Sequence, residues 1–377
     1  MRWDNLKMTT EEEERLPGYS DPAVIRHFDV PEAMGVKFYE VRAKSALNRV
    51  PEISQVPFRW TINPYRGCTH ACEFCFARPT HEYLDMNARD DFDKKIVVKV
   101  NLPEVVRREL NRPSWKGEHV ALGTNTDPYQ WVEKRYRLTR GVWEAMRDFR
   151  NPCSVLTKSP LLLRDLDLFR EINAVTSFTA NLSIPTIDEK VWRQTEPHTP
   201  NPRARIEAVA ELTKAGIQCG VLVAPLIPGV NDDPAQVQEI VDACVEAGAS
   251  HIGGICLHLR GAVKDIWFEW LEAYRPDLIP RYEQMYARGA YAPRAERERI
   301  SKLVQDSRGD TAASSPPDYR MRRERNGRAG RGVSSAGRGA AAERATRLMR
   351  GGMAQAKSAR RDDEIVDDGA PIQQSLF

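Results

Sequence analysis

The chain has 377 residues, 41% of them hydrophobic and 29% charged, and its 56 basic and 53 acidic side chains leave a formal charge of +3. These values allow one large domain of roughly 200–300 residues with tails, and they exclude a whole-protein field that would draw in a polyanion. No apolar run approaches the ~18–20 residues of a membrane span, and the polar, acidic N-terminus through Arg15 is unlike a secretion signal, so a cytoplasmic location is expected.

Residues 1–54 read as an N-terminal extension. Between residues 58 and 258, short apolar runs alternate with longer amphipathic ones, the pattern of strand and helix units around a parallel sheet. Core strands are expected at 58–63, 120–123, 153–157, 177–183, 218–224 and 251–257, with helices at 137–149, 161–172, 202–215 and 234–247. A strand at 95–101 and a helix at 103–111 read as an insertion. Asn201-Pro202 predicts a helix start, and Gly216 and Gly248 fall just past helix ends. Right-handed crossovers gather the strand C-termini at one end, so the α/β fold expected over 55–305 is a partial (β/α)6 TIM-type barrel with its site there. From 306 to 377 Gly, Ser, Ala, Arg and Pro dominate, which predicts a disordered Arg-rich tail.

Cys68, Cys72 and Cys75 fall together among seven cysteines, an odd count in a chain without an export signal, so metal or redox chemistry is expected rather than a disulfide framework. Cys153, Cys219, Cys244 and Cys256 are scattered in apolar surroundings and read as small buried hydrophobes. The run Cys68-Thr69-His70-Ala71-Cys72-Glu73-Phe74-Cys75 spaces its thiols as C-x3-C-x2-C, close enough to wrap a compact cluster. A [4Fe-4S] cluster normally takes four thiolates, so three leave one iron open for chemistry. On spacing alone, a Cys3His zinc site with His70 as fourth ligand competes. Against zinc, the intervals differ from paired C-x2-C knuckles, no second knuckle follows, and Phe74 offers a flat face for a purine.

The motif C-x3-C-x-aromatic-C after a first strand resembles that of the radical S-adenosylmethionine superfamily. The resemblance runs from about residue 58 to 293 and is nearest the branch that includes spore photoproduct lyase. It implies a [4Fe-4S] cluster on Cys68, Cys72 and Cys75, S-adenosylmethionine on the open iron, and an external electron donor of flavodoxin or ferredoxin type. Reductive cleavage to methionine and a 5′-deoxyadenosyl radical is the implied reaction. By register with that family, Phe74, Thr124, Asn125, Thr126, Asp127, Lys158, Ser183 and Arg205 are expected at the S-adenosylmethionine cofactor. The oxygens of residues 124–127 suit its ammonium, Lys158 and Arg205 its carboxylate, and Ser183 its ribose. The same stretch reads as an Asx or Ser/Thr turn closed by Pro128.

His251 and His258 flank the sixth strand, and either can face a substrate cavity, although a core or surface histidine is commoner. Spore photoproduct lyase has a hydrogen-donating cysteine near the end of its second strand, where this chain has Thr124, Asn125 and Thr126. Thymine-dimer repair by the same route is therefore not expected. Tyr65, Tyr129 or a substrate atom would have to quench a radical.

The tail suits either a salt-sensitive nucleic-acid arm or a solubilising linker. Gln373-Gln374-Ser375-Leu376-Phe377 resembles the peptide by which bacterial DNA-processing proteins dock on the replication sliding clamp. Three functions follow: a radical enzyme acting on nucleic acid, a radical enzyme for a small metabolite or peptide, or a zinc-stabilised nucleic-acid-binding protein without turnover.

Overall fold

In the N-terminal part the backbone forms β1 (Met8–Glu14), β2 (Ala23–Phe28), β3 (Lys37–Val41), β4 (Asn48–Arg49), β5 (Trp60–Ile62) and β6 (Tyr65–Arg66). Six further strands follow: β7 (Lys95–Lys99), β8 (Val120–Leu122), β9 (Cys153–Thr157), β10 (Phe178–Ser183), β11 (Cys219–Leu226) and β12 (Ile252–Cys256). The computed structural model describes residues 8–52, 54 and 56–312, so the expected basic tail from 313 onward, with the peptide at 373–377, lies outside the described residues.

Seven strands make one sheet in the order β12-β11-β10-β9-β8-β5-β4. Its six strands β5 and β8 to β12 run parallel, with helices on the crossovers, and they are the six expected from the apolar runs. Register aligns their ends: Ile62 pairs with Leu122, Leu122 with Val155, and Val155 with Ala180. The C-terminal ends of neighbouring strands therefore stand side by side, where loops from different strands can build one site. The sheet stays open, with β12 and the short antiparallel β4 at its edges.

Helix boundaries follow local chemistry. The Asn201 side chain accepts from the Arg203 N–H at 2.8 Å and starts Pro202–Lys214, and Asp233 accepts from Ala235 and Gln236 to start Pro234–Glu246. Trp143 and Phe169 meet Phe178 under the sheet, the two phenylalanine rings stacked at 4.1 Å between centroids. Cys153, Cys219 and Cys244 are buried in this core, as expected of small hydrophobes. The expected boundary at 305 falls inside the helix Arg294–Arg308, whose Ile300 and Val304 bury in the core, and Ala312 joins the same core. Among the described residues no helix is long and apolar enough to cross a membrane.

The extension and the insertion turn out to be one structure. Strands β1, β2, β3, β7 and β6 form a second sheet in that order, with β3 and β7 parallel and the other pairs antiparallel. The period of two in β7 explains the union. Ile96 and Val98 pack on one face with Phe38 and Tyr65, while Val97 packs on the other with Tyr39 and Val41. A strand buried on both faces needs partners on both edges, and β3 and β6 supply them.

His251 is a core histidine. Its Nε2 lies 2.7 Å from Asn181 Oδ1 and its Nδ1 3.1 Å from Ser250 Oγ. The ring occupies the space over Gly220, where a Cβ would come within 1.9 Å of the imidazole. Burial pushes its pKa down to about 4 from the ordinary 6.5. Between these values the unfolded chain binds a proton that the folded chain refuses, so stability is complete above about 6.5 and is lost as pH falls toward 4. Urea midpoints across this window should fall for the wild type with a slope that flattens in His251→Gln; parallel profiles would assign the titration elsewhere.

Candidate active site

The loop after β5 is shaped before any ligand is considered. Gly67 sits at φ +79°, and a Cβ there would lie 2.7 Å from the Phe92 carbonyl oxygen, so the tight entry to Cys68 requires glycine. Gln130 brackets the turn, its amide donating to the Gly67 carbonyl while its oxygen accepts from the Thr69 N–H, both at 3.0 Å. Arg78 is buried beside the loop and donates to the carbonyls of Ala71, Cys72, Ala88 and Arg89 at 3.0–3.2 Å. Beneath it Lys99 donates to the Asn63 carbonyl at 2.8 Å, and burial, with Arg66 adding to it, pushes the amine down to about 7.

The thiols of Cys68, Cys72 and Cys75 line one cavity of about 190 Å³ at the C-terminal end of the parallel strands, together with Phe74, Asn125, Asp127, Lys158 and Ser183. Burial pushes all three thiols up, and Asp127 raises Cys68 further. Buried thiols beside a carboxylate become thiolates only against a strong positive charge, which is what an iron–sulfur cluster brings. The donor set therefore fits such a cluster. Among the described residues no group of three or more His, Cys, Asp or Glu side chains converges as a single-ion site requires. His70, the fourth ligand of the zinc alternative, instead places Nδ1 3.4 Å from Asp127 Oδ2.

Asn125 Oδ1 is buried in the cavity wall with no hydrogen-bond partner, an acceptor suited to an ammonium group. Gly123, at φ +78°, lets the wall come close: a Cβ would stand 1.8 Å from the Leu156 carbonyl oxygen. Asp127 is both turn and wall. Its carboxylate accepts from the Tyr129 N–H, the Thr157 hydroxyl and the Lys158 N–H, tying the ends of β8 and β9 together. Lys158 reaches Ser183 Oγ at 2.8 Å, forms an ion pair with Glu196 at 2.5 Å, and lies 5.5 Å above the Phe74 ring.

Three expected cofactor contacts are placed elsewhere. Arg205 is fully buried behind the cavity wall, where its guanidinium meets the Glu196 carboxylate at 2.8 Å and donates to the Ser183 and Pro200 carbonyls and to Thr199 Oγ1. With its donors engaged this way, it acts by fixing Glu196 and thereby Lys158. Thr126 turns to donate to the Tyr65 carbonyl at 3.0 Å, and Thr124 is buried without lining the cavity. Glu196 was missed from sequence, although it opens the run that leads to Arg205 and a buried acid is the complement two inward cations need. Burial raises its carboxyl, but Arg205 and Lys158 outweigh burial and hold it below the usual range.

His258 lines the cavity and His251 does not. Tyr65 donates to Glu133 and Tyr129 to Asp165 at 2.9 Å, both phenols buried away from the cavity, so neither stands ready to quench a radical formed there.

A profile of the Radical SAM superfamily matches residues 62–244. An uncharacterised protein of Mycobacterium tuberculosis (strain ATCC 25618 / H37Rv) is 42% identical over 308 residues, covering 81% of this chain and 91% of its own. A radical SAM Nalpha-GlyT isomerase of Pseudomonas phage M6 is 24% identical over 242 residues, 62% of this chain and 47% of that protein. In fold, spore photoproduct lyase complexed with dinucleoside spore photoproduct superimposes with a TM-score of 0.55 at 18% identity, covering 74% of this chain and 81% of that one. The chain belongs to the radical SAM superfamily, whose enzymes use a [4Fe-4S] cluster and S-adenosylmethionine and require an electron donor.

The buried Glu196–Arg205–Lys158 group yields a stability test. Glu196→Gln leaves two cations without their counter-charge and should lower the unfolding free energy by about 3–5 kcal/mol. Adding Arg205→Met to it should recover part of that loss, read from urea midpoints; equal midpoints for wild type and Glu196→Gln would dismiss the triad as a structural element.

Proposed function

We propose that Cys68, Cys72 and Cys75 ligate the cluster, that Asn125, Asp127, Lys158, Ser183 and Phe74 surround S-adenosylmethionine, and that the radical acts on a nucleic acid. The observation that carries the reading is that the three cysteines, an unpartnered amide oxygen and a lysine line one cavity. When bound, the cluster and S-adenosylmethionine supply a 5′-deoxyadenosyl radical by reductive cleavage. The chain's own part is to bind, orient and exclude water. Asn125 Oδ1 accepts from the ammonium, and Lys158, steadied by Glu196 and Ser183, offers its charge to the carboxylate. The Phe74 ring, with Lys158 above it, covers the loop side of the cavity. Thr124, Thr126 and Arg205 support these groups without lining the cavity.

Nucleic acid is favoured as substrate by the shared fold with spore photoproduct lyase and by the basic residues at 320–361 of the sequence. In this reading an external flavodoxin- or ferredoxin-type protein delivers the electron, the enzyme works in the cytoplasm, and the peptide at 373–377 recruits it to the sliding clamp.

Anaerobic reconstitution with iron and sulfide, then dithionite and S-adenosylmethionine, should give 5′-deoxyadenosine by chromatography, and Cys72→Ala should abolish it. Asn125→Ala should retain the cluster's absorbance and raise the KM for S-adenosylmethionine roughly 10–100-fold, the worth of one hydrogen bond to a charged group. Undiminished product from Cys72→Ala would remove the cysteine assignment. Stimulation of turnover by DNA or RNA separates a nucleic-acid substrate from a small metabolite.

A further inference from the structure

The cavity opens toward a stack of rings that the cofactor assignments leave unused. Phe76, directly after Cys75, lies 5.8 Å from the His258 ring at 33°, and His258 lies 5.6 Å from Tyr291 at 23°, a near-parallel stack. Phe76 and His258 line the cavity, while Tyr291 is 49% exposed, so the stack runs from the cysteine loop to solvent. The backbone holds it in place. His258 and Tyr291 form an antiparallel bridge, and the Leu259 N–H donates to the Ala290 carbonyl at 2.7 Å. Ile255, on the edge strand β12, also lines the cavity and is 49% exposed, extending the apolar surface at the mouth.

Two features point to the ligand. Burial, with Arg260 adding to it, holds the His258 imidazole below its usual range, which favours the uncharged ring between Phe76 and Tyr291 and leaves Tyr291 as the exposed end of the stack. Arg260, two positions after His258, is near enough to depress its imidazole, and Arg297 donates its Nε to the carbonyl of Ala292, next to Tyr291, at 3.1 Å; neither guanidinium makes an ion pair among the described residues. Stacked rings with unpaired guanidiniums on neighbouring residues suit a nucleotide strand, since bases stack on rings and phosphates meet cations. A neutral metabolite would leave both arginines unused.

We propose that Phe76, His258 and Tyr291 form a stacking platform for a single unpaired nucleobase at the cavity mouth, with Arg260 and Arg297 receiving the flanking phosphates. The proposal rests on the nucleic-acid reading above. It requires the target base to be in a single strand or extruded from a duplex, because a paired base offers its faces only to its neighbours in the stack.

Fluorescence anisotropy on the reconstituted 377-residue chain tests it, with labelled single strands of about ten nucleotides, as DNA, as RNA and as abasic DNA. Tyr291→Ala should weaken binding of base-bearing strands about ten-fold or more while leaving the abasic strand unchanged, and Tyr291→Phe should bind as the wild type does. The double variant Arg260→Gln/Arg297→Gln should lower the slope of log affinity against log salt by about 1.4, the share of two phosphate contacts on a single strand. Equal affinity of Tyr291→Ala and wild type for base-bearing strands, or equal loss on abasic strands, overturns the platform. Absence of saturable binding by the wild type to every strand overturns the nucleic-acid reading itself, and the two failures are distinct.

Discussion

A buried guanidinium governs the cysteine loop. Between Cys68 and Cys75 the backbone follows no regular ladder and closes only two bonds of its own, from Ala71 to Cys68 and from Cys75 to Cys72, so other carbonyls need partners from outside, and an unsatisfied buried carbonyl costs about 1–3 kcal/mol. Arg78 gives hydrogen bonds to two carbonyls in the loop and two beyond it, with Asp93 at 3.5 Å balancing its charge. Placing a guanidinium there costs several kcal/mol in desolvation, which four charge-assisted bonds at roughly 1.5–3 kcal/mol each can offset. The loop thus holds its form through the protein's own contacts, with its three cysteines lining the cavity.

The same logic operates on the opposite wall. Lys158 could swing freely on four methylenes, yet Glu196 and Ser183 fix its amine, and Arg205 fixes Glu196 in turn. The charges alternate in sign through the buried group, so each is compensated by a neighbour and none is left alone in a medium of low dielectric. The cavity is preorganised from both sides: an arginine holds the backbone of the loop, and an ion-pair group holds the side chain that faces it.

Much of this was legible in the sequence. The six parallel strands declared themselves through runs such as Cys153–Thr157, buried on both faces, and one helix start through Asn201, whereas the Asp233 cap emerged only in the structure. The cysteine spacing pointed to the cavity that Cys68, Cys72 and Cys75 line. What stayed hidden was the direction of side chains at strand ends: Asn125 turns into the cavity while Thr126 turns back to Tyr65, and residue type alone does not choose between them. Arg205 looked like a ligand contact because its charge was visible and its buried partner, Glu196, was 9 positions away in a proline-rich connection. The N-terminal strands escaped notice because β1 carries the polar run MTTEEEE, and because the partner of β3 comes from beyond the cysteine loop.

That second sheet changes the standing of the first fifty residues. Strand β7 buries Ile96, Val97 and Val98 and is flanked by β3 on one edge and only the two-residue β6 on the other. A bare apolar strand edge invites pairing with another molecule's backbone. By laying β3 along β7, and β2 and β1 beyond it, the chain covers that edge with its own backbone and moves the free edge of the sheet out to β1. The extension thus closes an apolar edge beside the cysteine loop that a shorter chain would leave open to pairing with a second molecule.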